Sequence, residues 1–274
     1  MATKHLALRR SDSCCVCAAE LPAGTTATWD DVRRTVTCLA CTVTAEATSA
    51  RAEAAGGVAG KSARAKGERL RNAQLQRRQQ LKQQHPVLGR IGIAMAGPPT
   101  AGATWLKGAV GEERFGAALE SMRDDGVLAL HDRRIPGSSA NIDHLAITPN
   151  GIWVIDPKHY DGKVEVVDKG GWFRTDIRLF VNGRDRTKLV TGVHKQRAHV
   201  KRALLGTDFE DAPVSGALCF VDSDWPWFAK PRVVDGVVVA WGKALRPILT
   251  ASGAFDAEQR AAIHRRLATA LPPK

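Results

Sequence analysis

Two aspartates and a lysine lie at the ends of two apolar runs, 142–148 and 152–155, that flank the turn residues 149–151. Proline presets the backbone φ angle for a turn and Asn-Gly tolerates positive φ, so the stretch predicts a β-hairpin. Side chains alternate along a strand, which puts Asp156 and Lys158 on one face and points Pro157 away. Together with Asp143 on the first strand, they place charge on an apolar hairpin, where a divalent cation is the usual compensation.

Two more polar residues are expected to face the same site. Glu112 lies on the inward side of a helix predicted from Gly108, in line with its apolar stripe of Phe115, Ala118, Leu119 and Met122. Gln196 lies on a later helix, predicted over residues 188–205. These five residues, Glu112, Asp143, Asp156, Lys158 and Gln196, are the candidate catalytic set.

The candidate set suits metal-assisted hydrolysis of a phosphodiester. Clustered carboxylates, here Glu112, Asp143 and Asp156, select the hard cations Mg²⁺ or Mn²⁺. Such a cation polarises a phosphoryl oxygen and lowers the pKa of a bound water. Lys158 would orient that water or stabilise charge on the phosphorus, and Gln196 would position a water or the substrate backbone.

Each residue of the set also has a plainer interpretation. Asp143 could pair with Arg133 or Arg134 on a neighbouring strand, and Asp156 with Lys158 could be a simple ion pair at a sheet edge. Gln196 alone could be an exposed helical residue. His144 and His194 are assigned no role.

Four cysteines near the start of the chain have the spacing of a metal site. Cys14 and Cys17 form one Cys-x2-Cys pair, and Cys38 and Cys41 form a second pair after a gap of twenty residues. Two such pairs are typical of a tetrahedral Zn²⁺ site with four thiolates, which is structural because it leaves no open coordination position. Disulfides are the alternative, and a cytosolic chain disfavours them. Cys15 is expected beside the site, and Cys219 in the core.

The basic charge is concentrated in the first third of the chain. Residues 1–90 hold 15 Lys/Arg against 7 Asp/Glu, and the remaining 184 residues hold 25 against 21. Such an imbalance favours a polyanion partner, most often nucleic acid, although charge can also serve solubility alone. The start of the chain lacks a secretory apolar region and no apolar run could span a bilayer, so the expectation is a cytoplasmic protein without membrane contact.

The chain is expected to have three parts: a zinc-ribbon-like module (1–44), a basic, partly helical linker (45–104) and an α/β domain (105–274). Residues 61–84 hold eight Lys/Arg and one acid, with helix predicted over 63–84. This segment could bind the phosphate backbone of a nucleic acid without sequence specificity, or it could be a solvated spacer. The main domain has predicted strands at 127–131, 163–167, 214–221 and 233–241 and a last helix capped by Asp256. Residues 172–173 and 180–181 indicate a further hairpin, with Asn182-Gly183 as its turn. This order indicates a mixed sheet flanked by helices.

The spacing of Glu112, Ile142-Asp143, Asp156-Pro157-Lys158 and Gln196 resembles a PD-(D/E)xK nuclease core. The surrounding text, including Gly108-x-x-Gly111-Glu112 and Asn150-Gly151-Ile-Trp-Val-Ile-Asp156, is more similar to the nuclease-related domain (NERD) family. The resemblance covers residues 106–222. It implies a restriction-endonuclease-like fold and a Mg²⁺-dependent role in DNA processing. Two residues depart from the pattern: Ile142 replaces the signature proline, and Pro157 occupies the middle of Asp-x-Lys, where it removes one backbone N–H.

Three functions therefore stay open from the sequence. The first is a Mg²⁺- or Mn²⁺-dependent nuclease acting on DNA. The second is a catalytically silent nucleic-acid-binding or adaptor protein with a nuclease fold. In the third, the zinc module binds other proteins and the basic segment is a spacer.

Overall fold

The structure, a computed structural model, describes residues 3–30, 34–43, 56–84, 102–171, 174–226 and 228–274. The chain divides into two compact units, Met1–Ala55 and Gly56–Lys274. In the described part of the chain, none of the helices combines the length and the apolar character that crossing a membrane requires.

The N-terminal unit is built from five short strands. A three-stranded antiparallel sheet has the order β1-β4-β5, and β2 pairs with β3. The strands are β1 (Thr3–Ala7), β2 (Asp12–Ser13), β3 (Glu20–Leu21), β4 (Thr26–Asp30) and β5 (Thr35–Cys38). Its small core consists of Leu8, Cys14, Leu21, Ala27 and Val36. So few apolar side chains bury little surface, which fits a module that relies on a metal for stability.

The second unit is organised around a six-stranded mixed sheet with the order β14-β15-β12-β8-β7-β6. Strand β12 runs parallel to β8 and β15, and the other neighbours are antiparallel. The strands are β6 (Leu128–Arg134), β7 (Asn141–Thr148), β8 (Gly151–Lys158), β12 (Val214–Phe220), β14 (Arg232–Val234) and β15 (Val237–Ala240). The predicted hairpin is confirmed as β7–β8, and the mixed sheet flanked by helices is confirmed as well.

A smaller sheet lies beyond the end of β8. Its order is β11-β10-β9-β13, built from β9 (Gly162–Asp168), β10 (Ile177–Val181), β11 (Arg184–Asp185) and β13 (Ser223–Asp224). The predicted turn at Asn182-Gly183 joins β10 to β11, and both of its residues have positive φ. Trp172 and Phe173, predicted to begin this hairpin, lie outside the described residues.

Among the described residues of the second unit, five helices pack around the sheets. They are α1 (Lys61–Gln84), α2 (Ala103–Glu120), α3 (Lys188–Leu204), α4 (Gly242–Leu249) and α5 (Ala257–Ala270). One face of the large sheet packs with apolar residues of α3 and α5, and the other with those of α2 and α4. Asp256 caps α5 in a capping box with Gln259, as its sequence position indicates. Ala118 is exposed rather than part of the apolar stripe of α2.

Helix α1 packs against α2, which corrects the interpretation of this segment as a solvated spacer. Ala63 and Gly67 are buried, and a Cβ added at Gly60 would overlap the backbone of Ala109. A Cβ at Gly67 would overlap Leu106. The glycines that interrupt the segment therefore permit close approach between the two helices. The domain boundaries at residues 44 and 104 stay a prediction. In the structure, residues 56–84 belong to the larger unit.

The predicted strand 233–241 is wrong in one respect: it is a hairpin. Strands β14 and β15 are antiparallel and joined by Asp235-Gly236, whose φ angles are 46° and 68°. Two adjacent residues with positive φ are typical of a tight hairpin turn of type I′. Helix α4, which contains Pro247, was also not predicted.

Candidate active site

The two aspartates of the hairpin lie side by side on neighbouring strands. Strands β7 and β8 pair with Leu145 opposite Val154 and His144 opposite Ile155. Continuing this register sets Asp143 opposite Asp156. Burial first, and then the charge of Asp156 and that of Glu112, raise the pKa of Asp143 well above its ordinary value. Two carboxyl groups this close disfavour double ionisation unless a cation compensates them.

Lys158 forms an ion pair with Asp156 on the same strand, with 2.6 Å between the ammonium nitrogen and the carboxylate oxygen. The two side chains lie on the same face of β8, as the alternation of side chains along a strand requires. Burial opposes the charge of Lys158, but Asp156 and Asp143 outweigh it, and its pKa is raised above the ordinary value. Lys158 is therefore protonated at neutral pH. Strand β8 lies in the middle of the sheet, so the pair is at the rim of a central strand and not at a sheet edge.

Pro157 is compatible with the strand. The carbonyl of Lys158 accepts a hydrogen bond from the backbone N–H of Val221, just beyond β12, at 3.0 Å. Successive residues of a strand direct their backbone groups to opposite sides, so the nitrogen of Pro157 faces β7. The pairing between β7 and β8 ends at His144 and Ile155. The missing N–H therefore falls just past the end of that ladder.

Glu112 approaches the same region from helix α2. Its side chain is partly buried, and burial first, followed by the charges of Asp132 and Asp156, raises its pKa to about 7. Gly111, the residue before Glu112, explains how the helix reaches this position. A Cβ added at Gly111 would overlap the imidazole of His159, which forms a hydrogen-bonded pair with Asp222 at 2.8 Å. Gly111 thus allows α2 to pack directly against the chain that follows β8.

Gln196 lies next to this group on helix α3. Its amide nitrogen is 3.5 Å from the carbonyl of Asn141, at the limit of a hydrogen bond. Its amide oxygen is buried and has no protein partner. Gln196 is thus not the exposed helical residue of the plainer interpretation. It contacts the start of β7, two residues before Asp143, rather than the cleft itself.

A fourth carboxylate, Asp132, was not anticipated from the sequence. Its side chain accepts hydrogen bonds from the backbone N–H and the hydroxyl of Ser62, at 2.6 and 2.8 Å. Asn141 donates to both Asp132 and Asp143, at 2.9 and 3.1 Å. Asp132 is buried with φ of 49°, a conformation that aspartate tolerates better than most residues. The network links the first turn of α1 to the candidate metal ligand Asp143.

Arg133, one of the possible partners of Asp143, has another role. Its guanidinium is fully buried and donates to the carbonyls of Leu271 and Ala268, at 2.6 and 2.7 Å, where helix α5 ends. Cations at a helix C-terminus stabilise its exposed carbonyls. The unassigned histidines also have partners: His144 contacts His131, and His194 contacts Asp235.

A cleft of about 760 Å³ opens between α1, α2 and the ends of β7 and β8. Glu112 and Asp143 line it, and Asp156 lies behind them, buried and held by Lys158. Six positively charged side chains line the same cleft: Lys61, Lys66, Arg69, Lys107, Lys158 and Lys274. Carboxylates surrounded by cationic side chains match the needs of a phosphodiester, whose negative charge the rim attracts.

The cysteines of the N-terminal unit converge as their spacing indicates. The four sulfur atoms all lie within 4.8 Å of one another; they belong to Cys14, Cys17, Cys38 and Cys41. The sulfurs of Cys17 and Cys38 are 3.8 Å apart. Zn–S bonds of about 2.3 Å in a tetrahedron give sulfurs roughly 3.8 Å apart. Cys15 lies outside the cluster and contacts Thr37, and Cys219 is buried in the sheet.

The thiols of the cluster show the electrostatics of a metal site. A backbone N–H from Cys38 points at the sulfur of Cys14 at 3.4 Å and lowers the pKa of Cys14 to about 6. Hydrogen bonds to Cys38 and Cys17 raise the pKa of Cys41 to about 12. The thiols therefore share protons in the metal-free state, and binding of a cation would release them. This donor set fits a soft or borderline metal such as Zn²⁺.

Comparison with known proteins gives one match. The family described as the nuclease-related domain, NERD, matches residues 107–221. This part of the chain is a nuclease-related domain. No curated protein and no solved structure matches the chain.

The matched range of the NERD domain contains all five candidate catalytic residues, from Glu112 to Gln196. The four-cysteine cluster and all of α1 precede it, and β14, β15, α4 and α5 follow it. Among the described residues, the cysteines form the one group whose ligand atoms are already close enough to share an ion. The donor set of Glu112, Asp143 and Asp156 fits a hard cation chemically. Such a cation would relieve the repulsion that, after burial, raises the pKa values of Glu112 and Asp143.

Proposed function

We propose that the NERD domain hydrolyses phosphodiester bonds in DNA with Mg²⁺ or Mn²⁺ held by Glu112, Asp143 and Asp156. The observation that carries the proposal is that Glu112, Asp143 and Asp156 influence one another electrostatically, with Lys158 paired to Asp156, beside a cleft lined by cationic side chains. A family concerned with nuclease function supports the same reaction class. DNA processing in the cytoplasm stays the predicted setting.

Each side chain has a definite task in this proposal. When bound, the cation would supply Lewis acidity toward a phosphoryl oxygen and lower the pKa of its water. Asp143 and Asp156 would hold it from adjacent strands and Glu112 from α2. Lys158, kept protonated by Asp156, stabilises the negative charge that develops on the phosphoryl oxygens. Gln196 would hold the start of β7, two residues before Asp143, in place.

We propose Zn²⁺ as the metal of the N-terminal unit. Four thiolates within 4.8 Å of one another would complete the tetrahedral coordination of the ion, so its role would be structural. The small apolar core of this unit makes metal binding a large part of its folding free energy.

The test is cleavage of supercoiled plasmid and of single-stranded DNA in the presence of Mg²⁺ or Mn²⁺. The wild-type protein should cut in a metal-dependent manner, and Asp156→Ala and Lys158→Ala should each lower the rate by at least 100-fold, as loss of a residue that acts in the transition state commonly does. Glu165→Gln, a half-buried residue of β9 that is paired with Lys163, is the control and should cut at the wild-type rate. Cleavage that persists in both Asp156→Ala and Lys158→Ala would reject the assignment.

A second candidate function is nucleic-acid binding without turnover. The observation that favours it is the direct ion pair between Lys158 and Asp156, which competes with a cation for the same carboxylate. Salt-sensitive binding of DNA, with no cleavage across substrates and metals, would support this function over hydrolysis.

A further inference from the structure

The cleft beside the carboxylates has two different walls. Helix α1 supplies one wall through Lys61, Lys66 and Arg69, and the other consists of residues at the end of β8 and on α2, among them Lys158 and Lys107. Glu112 and Asp143 line the same cleft. A substrate that reaches these carboxylates therefore meets cationic side chains from both walls.

The size of this cleft limits what can enter it. Its volume of about 760 Å³ is within the range of roughly 300–1,000 Å³ that encloses one small molecule. There is room for roughly one or two nucleotides of one strand, by the same measure.

An aromatic side chain lies in the α2 wall. Trp105 lines the cleft and is 42% exposed, although large aromatic side chains are usually buried. The ammonium group of Lys66 lies 3.8 Å from the centre of its ring, so α1 orients the indole. An exposed aromatic ring beside cationic side chains is the combination that binds single strands, because the ring stacks on a base while the cations neutralise phosphates.

We propose that this cleft binds a single strand of nucleic acid, with Trp105 stacking on a base and α1 holding the phosphates. The proposal rests on the proposed function, because it names the substrate class of the same site.

Binding and cleavage are tested separately, so that each idea can fail alone. Fluorescence anisotropy of a labelled oligodeoxynucleotide, single-stranded or annealed to its complement, measures binding by the full zinc-loaded chain without added Mg²⁺ or Mn²⁺. The single strand should bind at least 10-fold more tightly than the duplex. Trp105→Ala should weaken binding of the single strand about five- to 150-fold, as loss of one base–aromatic stack does, whereas Trp105→Phe keeps most of the affinity.

Matched controls separate stacking from general charge and from misfolding. Phe228→Ala removes an exposed aromatic side chain that does not line the cleft and should leave affinity unchanged. Lys66→Ala should weaken binding more than Arg77→Ala, because Arg77 is on α1 but outside the cleft lining. The Trp105→Phe variant keeps the result interpretable if Trp105→Ala does not fold.

The binding and cleavage results separate single-strand recognition from hydrolysis. Equal or tighter binding of the duplex, or unchanged single-strand affinity in both Trp105 variants, overturns the inference even if the protein cuts DNA. Single-strand binding that depends on Trp105, without cleavage in Mg²⁺ or Mn²⁺, supports the inference and removes the proposed hydrolysis. An RNA of the same sequence tests the source of the strand: tighter binding of RNA assigns the cleft to RNA, and tighter binding of the oligodeoxynucleotide assigns it to DNA.

Discussion

Replacement of Glu112 by glutamine should make the protein more stable at alkaline pH when no Mg²⁺ or Mn²⁺ is added. Burial and the charges of Asp132 and Asp156 raise the pKa of Glu112 to about 7, against an ordinary value of 4.5. Because the folded state holds the proton more tightly, folding is penalised when the proton is lost. The penalty is absent below pH 4.5, grows between pH 4.5 and 7, and is complete above pH 7.

The size of the effect follows from the difference between the two pKa values. At 1.36 kcal/mol per pKa unit, a fully shielded Glu112 would cost about 3 kcal/mol above pH 7. The side chain is only partly buried, and solvent screens it, so we expect roughly 1–2 kcal/mol. For a unit of this size, this corresponds to a melting temperature roughly 2–8 °C higher in Glu112→Gln than in wild type at pH 8.

The assay is thermal and urea-induced unfolding of both proteins between pH 4.5 and 8.5, in buffer without chelator so that the cysteine cluster keeps its metal. Glu113→Gln is the matched control, since the neighbouring Glu113 pairs with Arg64 at 2.8 Å. It should be neutral or slightly less stable than wild type and should show no gain at high pH. Added Mn²⁺ should stabilise wild type above pH 7 and have a smaller effect on Glu112→Gln. Equal stability of Glu112→Gln and wild type at pH 8, or the same difference at pH 5 and pH 8, would refute the reasoning.

Three other predictions concern the cysteine cluster, the contact between α2 and β8, and the attachment of α1. Cys17→Ser should lose the bound zinc, measured by elemental analysis of the purified protein, whereas Cys15→Ser should keep it; full zinc content in both would contradict a four-thiolate site. Gly111→Ala should lower the melting temperature because its methyl group overlaps His159, and the double variant with His159→Ala should recover part of the loss; no recovery would place the strain elsewhere. Asp132→Ala leaves the hydrogen-bond donors that it binds unpaired and should cost about 1–3 kcal/mol, seen as faster hydrogen exchange in α1; unchanged exchange there would show that the network does not hold the helix.

Local sequence signals predicted the elements that carry the candidate site. Pro149-Asn150-Gly151 between two apolar runs specified the β7–β8 hairpin, and strand alternation specified that Asp156 and Lys158 share a face. The spacing of the four cysteines likewise specified their convergence. In each instance the geometry depends on residues close in sequence, and turn and strand rules apply directly.

The role of the basic segment could not be predicted because it depends on distant residues. Its composition indicates a solvated helix, and Gly60 and Gly67 look like interruptions of that helix. In the structure they are contact points with Ala109 and Leu106 of α2. The close approach becomes visible only when both helices are placed.

Asp132 was missed for a similar reason. Nothing near it in sequence marks it as a member of the site, and its partners Ser62 and Asn141 are far apart along the chain. The Asp235-Gly236 turn is different, because its signal was available: Asp-Gly between apolar runs is a strong indication of a hairpin. The continuous valine-rich stretch around it concealed the turn.

The central claim is that Asp143, Asp156 and Glu112 share a catalytic cation. The most direct measurement is anomalous diffraction from crystals of the full chain soaked in Mn²⁺. A shared cation should give a Mn²⁺ peak about 2.0–2.6 Å from carboxylate oxygens of Asp143 and Asp156, with Glu112 in the same coordination sphere or one water away. Saturating Mn²⁺ with no peak at these carboxylates, in a protein that still cuts DNA, would contradict the claim.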